Sequence, residues 1–140
     1  MKIKKIYSPN FSKNKRLRKS VKFIIIHYTG MQSERESIER LCNPLSKVSA
    51  HYLINKNGKI FKLVEDKHIA WHAGKSNWKK YNNLNKNSIG IELVNKGHQY
   101  GYNAFKKKQI VNACSGAGRR HAVLSAGTRR RAPAQHSPWR

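Results

Sequence analysis

The stretch FIIIHYTG, residues 23–30, places four apolar residues directly before a histidine and a turn. The longer run VKFIIIH, residues 21–27, is rich in β-branched residues and lacks helical spacing. It therefore predicts a buried strand that ends at His27. Strand ends in α/β sheets open into crevices where ligands bind, and a rigid strand end holds an imidazole still, as a zinc ligand requires. The other interpretation is a core histidine whose two ring nitrogens are satisfied by neighbouring groups.

The two segments that follow predict a helix and a β-hairpin. Residues 33–42, SERESIERLC, combine an apolar stripe with a capping box formed by Ser33 and Glu36, so they predict a short helix. Residues 50–64, AHYLINKNGKIFKLV, predict two strands joined at the Asn-Gly pair at 57–58. Both residues of that pair are expected to have positive φ.

Two later segments complete a mixed α/β pattern. Residues 88–94, SIGIELV, predict a further strand, and residues 105–114, FKKKQIVNAC, predict the beginning of a second helix. The order strand, helix, three strands, helix is typical of one α/β domain. We therefore predict a mixed central β-sheet flanked by helices.

Glu92 lies between apolar neighbours in the predicted strand at 88–94, which indicates that its side chain is partly buried. A carboxylate that is buried without a partner is costly, so it needs a cation, a proton or a chemical role. A desolvated glutamate with a raised pKa is suited to act as general base toward a metal-bound water. A salt bridge to one of the many lysines is the other interpretation.

The segment AWHAGKSNW, residues 70–78, brings two tryptophans, a histidine and a glycine into one loop. Trp71 and His72 are candidates for the wall of a groove that holds a sugar or a peptide. The alternative is a loop that its tryptophans anchor to the body of the protein.

Composition limits the remaining functions. The 140 residues suit one domain, and no apolar run approaches the ~20 residues of a membrane span. No signal sequence is visible, so we expect a cytoplasmic protein. We also expect a monomer. The net charge of +24 is compatible with a polyanionic partner, but the lysines are scattered, so specific nucleic-acid binding is not expected. Cys42 and Cys114 are expected to be reduced.

The composition changes near residue 113. Lysine, isoleucine and asparagine do not occur after residue 112, no acidic residue follows Glu92, and the remaining segment is rich in Arg, Ala and Gly. We therefore divide the chain into a basic N-terminal segment at 1–20, a domain at 21–112 and an atypical or disordered tail at 113–140. The tail is either a basic arm or an end foreign to the first 112 residues, and the joint change of composition and amphipathicity favours the second.

The segments IIIHYTG, VSAHYLINKNGKIFKLV, AWHAGKSNW and NSIGIELVNKG, in this order, resemble the zinc-dependent N-acetylmuramoyl-L-alanine amidases. That family includes peptidoglycan recognition proteins and phage T7-type lysozymes, and the likeness is greatest to the bacterial branch that trims cell-wall fragments. It covers residues 7 to about 112. The resemblance implies a zinc ion in a groove and hydrolysis of the amide between N-acetylmuramic acid and L-alanine. The implied substrate is peptidoglycan or a muropeptide.

By this resemblance, His27 is the first zinc ligand and Glu92 is the catalytic acid/base, and the two side chains are expected to open into the same groove. His51, Trp71 and His72 are expected in or beside that groove as substrate-binding residues. Family members complete the zinc site near the C-terminus with a histidine and an aspartate or cysteine, and the present chain has no matching stretch.

The missing ligands bear on the expected activity. A catalytic zinc needs three protein ligands and a water, and the tail contains His121 and His136 but no carboxylate side chain. We therefore expect this chain to bind zinc poorly and to hydrolyse muropeptides slowly or not at all. The alternative function is a non-catalytic module that binds muropeptides through the same groove.

Overall fold

The structure, a computed structural model, describes residues 3–101, 103–117 and 121–124. In these residues a six-stranded sheet is flanked by the helices α1 (Glu34–Cys42) and α2 (Lys107–Ala117). In chain order the strands are β1 (Ile3–Lys5), β2 (Phe11–Ser12), β3 (Phe23–Tyr28), β4 (Tyr52–Ile54), β5 (Ile60–Lys62), β6 (Ile69–Ala70), β7 (Asn77–Trp78), β8 (Tyr81–Asn82), β9 (Ser88–Leu93) and β10 (His121–Leu124). The predicted fold class, a mixed central sheet flanked by helices, is confirmed.

The main sheet has the strand order β1-β5-β4-β9-β3-β10. β3 runs parallel to both of its neighbours, β9 and β10, and β9 runs parallel to β4. β4 and β5 form an antiparallel hairpin, and β1 pairs in parallel with β5 at the opposite edge. The backbone of β3 is thus paired on both sides. This agrees with the burial of its three isoleucines, residues 24–26, which led to the prediction of a buried strand.

Two apolar cores lie on the two faces of the sheet. The core on the α2 face consists of Ile24, Ile26, Ile54, Ile60, Ile89, Ile91, Leu93 and Ala113. The core on the α1 face contains Leu41, Leu53, Phe61, Leu63, Val64, Ala70 and Val94. Successive side chains of a strand point to opposite faces, and Leu53 is the register partner of Glu92. Glu92 therefore lies on the α1 face of the sheet.

Helix α1 begins as its sequence predicts. The side chain of Ser33 accepts a hydrogen bond from the backbone N–H of Glu36 at 3.1 Å. The Glu36 carboxylate in turn accepts from the backbone N–H of Gln32 at 3.2 Å, one residue before the expected position. These two bonds satisfy backbone donors at the start of the helix, and Leu41 at its other end joins the core on the α1 face.

Replacing Ser33 by alanine is expected to lower the free energy of unfolding by about 1 kcal/mol, because the first turn of α1 loses its side-chain acceptor. Urea denaturation at neutral pH measures the difference. The matched control is Ser115→Ala on the exposed side of α2, where alanine is the better helix former and no loss is expected. Equal stabilities of the Ser33 variant and the wild type would contradict the capping role.

The hairpin between β4 and β5 forms as predicted, but its turn differs. Gly58 has a φ of 83°, whereas Asn57 lies outside the left-handed region, so the prediction of two positive φ angles is wrong. The reason is a longer loop. The side chain of Asn55 accepts hydrogen bonds from the backbone N–H groups of Asn57 and Lys59, at 3.0 and 2.8 Å, and this side-chain turn replaces a two-residue turn.

Residues 3–20, most of a basic segment, are built into the fold. β1 extends the main sheet, and β2 pairs in antiparallel fashion with β6. The guanidinium of Arg16 donates hydrogen bonds to the backbone carbonyls of Asp66 at 3.0 Å and Ser88 at 2.6 Å. The charge pattern set this segment apart in the sequence, whereas backbone pairing, which charge does not reveal, joins it to the domain.

The regular structure does not end where the composition changes. Helix α2 continues to Ala117, and residues 121–124 pair in parallel with β3, so regular structure extends past residue 113 in the described residues. Without β10, the edge of β3 would expose unpaired backbone groups, and these can pair with an extended segment of any composition. The later part of the tail, with His136, lies outside the described residues. Among the described residues no helix has the length and apolar character to cross a membrane.

Candidate active-site groove

His27 and Glu92 lie side by side on neighbouring strands. They are Cα partners in the parallel register of β3 and β9, so their side chains project from the same face of the sheet. Both side chains are partly buried. Two residues that the sequence predicts to be functional, separated by 65 positions, are thus brought together at the C-terminal ends of adjacent parallel strands.

A cavity of about 280 Å³ opens over this face between α1 and the loop that follows β6. Its lining includes Thr29, Met31, Ser37, Arg40, Leu41, Lys47, Val48, Ser49, Trp71, His72, Gly74, Asn85 and Glu92. Trp71, His72 and Glu92, which were expected in or beside a groove, line this cavity. His27 is not part of the lining but contacts it, because its Nε2 lies 3.1 Å from Nδ1 of His72.

Glu92 is the most unusual group of the groove. Its Oε2 atom is buried and has no hydrogen-bond partner among the described residues. Burial raises the pKa of Glu92 to about 8, and the nearby Arg40 guanidinium opposes this shift more weakly. The carboxyl group is therefore mostly protonated at neutral pH and can still lose its proton at slightly higher pH. Such a group can exchange protons with a bound molecule.

His72 occupies a space that a glycine provides. A Cβ atom at Gly90 of β9 would lie 2.5 Å from Cδ2 and 2.6 Å from Nδ1 of His72, so the imidazole rests directly on the strand backbone. The ring centroids of His27 and His51 lie 5.3 and 5.8 Å away. The glycine in SIGIELV thus makes room for a histidine, which the sequence pattern did not indicate.

Replacing Gly90 by alanine is expected to lower the free energy of unfolding by about 3 kcal/mol, because the methyl group must displace the His72 ring and its buried hydrogen bonds. Chemical denaturation measures the loss. The control is Gly74→Ala, in the same groove, where φ is +55° but no atom lies within 4 Å. That control isolates backbone strain, worth about 1 kcal/mol. Equal effects of the two substitutions would contradict the steric argument.

His51 lies beneath His72 and is fully buried. Its Nδ1 accepts a hydrogen bond from the backbone N–H of Gly90 at 3.0 Å, and its Nε2 lies 3.2 Å from the His68 carbonyl oxygen. Burial, reinforced by Arg16, lowers the pKa of His51 to about 4. The structure therefore places His51 behind the groove and not in its lining, because β4 begins here and the ring pairs with the neighbouring strand.

Trp71 both lines the cavity and anchors its loop to the body of the protein. It lines the cavity, yet its indole N–H donates to the Ser12 hydroxyl at 3.2 Å, and its backbone N–H donates to Ser49 Oγ at 2.9 Å. The ring is therefore both anchored and available to a ligand. Trp78, at the other end of the motif, is 50% exposed and is not part of the lining.

Several lining residues were not identified from the sequence. Arg40 reaches the groove from α1, and Lys47 follows α1 in a left-handed conformation with a φ of 52°. Asn85 holds the loop, because its Oδ1 accepts from the backbone N–H groups of His72 and Ala73 at 3.0 and 2.8 Å. The only sequence signal for Arg40 was its position one turn after Glu36 and Ser37, and no signal marked Asn85 among its polar neighbours.

The residues of the groove do not fit a catalytic zinc by themselves. His27 is neutral at pH 7, because burial lowers its pKa to about 4, so it can offer one nitrogen lone pair. In the described part of the chain no three His, Cys, Asp or Glu side chains are grouped as metal ligands. A catalytic zinc requires three protein ligands. The side chain of His121 and all of His136 lie outside the described residues, so no step below is assigned to a metal.

Curated proteins are similar to this chain in sequence. AmiD of Escherichia coli, an N-acetylmuramoyl-L-alanine amidase, is 42% identical over 86 residues, which cover 56% of this chain and 30% of AmiD. AmpD of Haemophilus influenzae, a 1,6-anhydro-N-acetylmuramyl-L-alanine amidase, is 30% identical over 113 residues, or 69% of this chain and 61% of AmpD. The chain thus spans less than two thirds of the length of these curated relatives.

A solved structure of E. coli AmiD, in complex with the substrate anhydro-N-acetylmuramic acid-L-Ala-D-gamma-Glu-L-Lys, superposes with a TM-score of 0.63. The two chains are 35% identical, and the match covers 70% of this chain and 42% of AmiD. The profile of one family, N-acetylmuramoyl-L-alanine amidase, matches residues 17–131, which is most of the sequence. The chain therefore belongs to the N-acetylmuramoyl-L-alanine amidase family.

Proposed function

We propose that the groove binds a muropeptide and that Glu92 transfers the proton in hydrolysis of the amide between N-acetylmuramic acid and L-alanine. The observation that carries this proposal is the buried, unpartnered Oε2 of Glu92 in a cavity, with His27 as its register partner. A carboxyl group in this environment is stable only if it is protonated or meets a ligand. The substrate named for the AmiD complex, a muramyl peptide, is the ligand class that we assign to this chain.

The lining of the groove suits such a ligand. Trp71 offers an aromatic face, and Arg40 and Lys47 offer positive charge toward the carboxylates of a stem peptide. Glu92 is mostly uncharged at neutral pH and does not repel that anion. The cavity volume of about 280 Å³ accommodates part of a muramyl peptide, with the remainder extending along the open side.

The reaction needs one proton to move twice. In its ionised form Glu92 accepts a proton from water while the water oxygen attacks the carbonyl carbon of the lactyl group. Glu92 then donates that proton to the nitrogen of L-alanine as the C–N bond breaks, which releases a peptide with a free amino group. A pKa of about 8 allows both steps near neutral pH, since neither protonation state is rare.

A non-catalytic muropeptide-binding module is the second candidate. The observation that favours it is the ligand count, because the described residues provide His27 but no group of three metal-binding side chains. The family resemblance implies zinc-assisted chemistry. A chain that lacks the remaining ligands would retain the groove and lose most of the turnover.

One experiment separates the two functions. The purified chain is titrated with a muramyl-L-Ala-D-γ-Glu-L-Lys peptide in a calorimeter, its zinc content is measured by elemental analysis, and release of the free peptide is followed by chromatography. Binding with release supports the amidase, and binding without release or zinc supports the module. Absence of binding would contradict both functions.

A further inference from the structure

A chain of hydrogen bonds runs from the backbone to His27. The hydroxyl of Ser88 lies 2.6 Å from the carbonyl oxygen of Leu84 and 3.0 Å from Nε2 of His72. On the other side of the same ring, Nδ1 of His72 lies 3.1 Å from Nε2 of His27. Ser88 is fully buried, and Asn85 accepts a hydrogen bond from the backbone N–H of His72. This series of hydrogen bonds therefore has little freedom to rearrange.

The positions of the protons along this chain follow from the chemistry of its ends. A carbonyl oxygen can only accept, so the single hydroxyl proton of Ser88 is donated to Leu84. The Ser88 oxygen must then accept a proton from Nε2 of His72. A neutral imidazole carries one N–H, so Nδ1 of His72 has a bare lone pair, and Nε2 of His27 must be the donor in the last bond.

We propose that Ser88 and His72 are positioning residues that hold His27 in the tautomer protonated at Nε2, which leaves Nδ1 as its only lone pair. Nδ1 is then the only ring atom through which His27 can bind an electrophile. The tautomer itself does not depend on the proposed amidase function, and only the use made of Nδ1 rests on that function.

The opposite tautomer would require a rearrangement of the whole chain. If His27 were protonated at Nδ1, its bare Nε2 would face Nδ1 of His72, and His72 would have to carry its proton there. The bare Nε2 of His72 would then need a donor, while the Ser88 proton is already engaged by Leu84. One of these buried bonds would be lost. The carbonyl of Leu84, which takes the Ser88 proton, thus determines which nitrogen of His27 is protonated.

The test is a two-bond ¹H–¹⁵N correlation spectrum of the full chain labelled at histidine, recorded near neutral pH. This spectrum identifies the protonated nitrogen of each ring. The expected result is a single tautomer for His27, protonated at Nε2, and for His72, also protonated at Nε2. A His27 protonated at Nδ1 in the wild type would overturn the proposal, and this result needs no variant.

Two variants extend the test. Ser88→Ala removes the acceptor of His72 and is expected to shift the tautomer ratio of His27 by roughly fivefold, the effect of one neutral hydrogen bond. Ser88→Thr keeps the hydroxyl on a strand residue and is expected to keep the single tautomer. An unchanged ratio in a folded Ser88→Ala protein would show that Ser88 does not position His27. Muropeptide affinity, measured on the same samples, distinguishes this failure from a failure of the proposed function.

Discussion

With a complete C-terminal zinc site that sustains muropeptide hydrolysis, Glu92→Gln is expected to lower the rate by a factor of roughly 10²–10⁴, the usual contribution of a general acid/base. Burial raises the pKa of Glu92 to about 8, so the native side chain is mostly an uncharged carboxyl at neutral pH. Glutamine has nearly the same size and the same zero charge. The substitution should therefore leave the groove and the affinity for the peptide unchanged, while it removes the group that accepts and returns a proton.

Initial rates and calorimetric affinities of the two proteins measure this effect. The rate of the wild type should also increase with pH until about pH 8 and then level off, because only ionised Glu92 can accept a proton from water. The matched control is Glu39→Gln on the exposed side of α1, where the carboxylate pairs with Arg35 and should not affect turnover. A Glu92→Gln protein with nearly full activity would remove Glu92 from the mechanism.

The parts of the site that the sequence predicted are those set by local pattern. His27 ends an uninterrupted apolar run, and Glu92 interrupts another, so each was recognisable within its own strand. Their meeting required one further inference, that two parallel strands of the same sheet carry them. The register of β3 and β9 shows this pairing directly.

The parts that could not be predicted depend on contacts between distant segments. Gly90 and His72 fit together although 18 positions separate them, and neither sequence motif shows that one makes room for the other. His51 has the appearance of a groove residue in its motif, yet the pairing of Gly90 with its ring turns it inward. Likewise, the sequence shows Arg16 only as one of several basic residues, and its hydrogen bond to the Ser88 carbonyl is visible only in the structure. Charge and hydrophobicity do not encode such pairings.

The three histidines in and behind the groove are expected to limit stability at acidic pH. Burial lowers the pKa of His27 and of His51 from 6.5 to about 4, and it also lowers the pKa of His72. Below pH 6.5 the unfolded chain binds protons that these folded histidines do not. Their contribution to stability is therefore fully present above pH 6.5 and is lost as the pH falls. Each proton changes the free energy of unfolding by about 1.4 kcal/mol per pH unit.

Glu92 has the opposite effect at higher pH, so stability is expected to be greatest near pH 6.5. Its pKa rises from 4.5 to about 8 on folding, hence its contribution is full below pH 4.5 and is lost as the pH rises to about 8. Between pH 4.5 and 6.5 the effect of three histidines on stability outweighs that of one glutamate. Above pH 6.5 Glu92 alone lowers stability by about 1.4 kcal/mol per pH unit.

Urea denaturation from about pH 4 to about pH 9 measures the loss of stability on the acidic side and on the basic side of this maximum. Glu92→Gln should abolish the decline above pH 6.5 and keep the acidic one, whereas Glu39→Gln should keep both. A wild-type stability that stays constant from pH 6.5 to 8 would show that Glu92 is already ionised in the folded protein, and this would contradict its proposed role as donor of the proton near neutral pH.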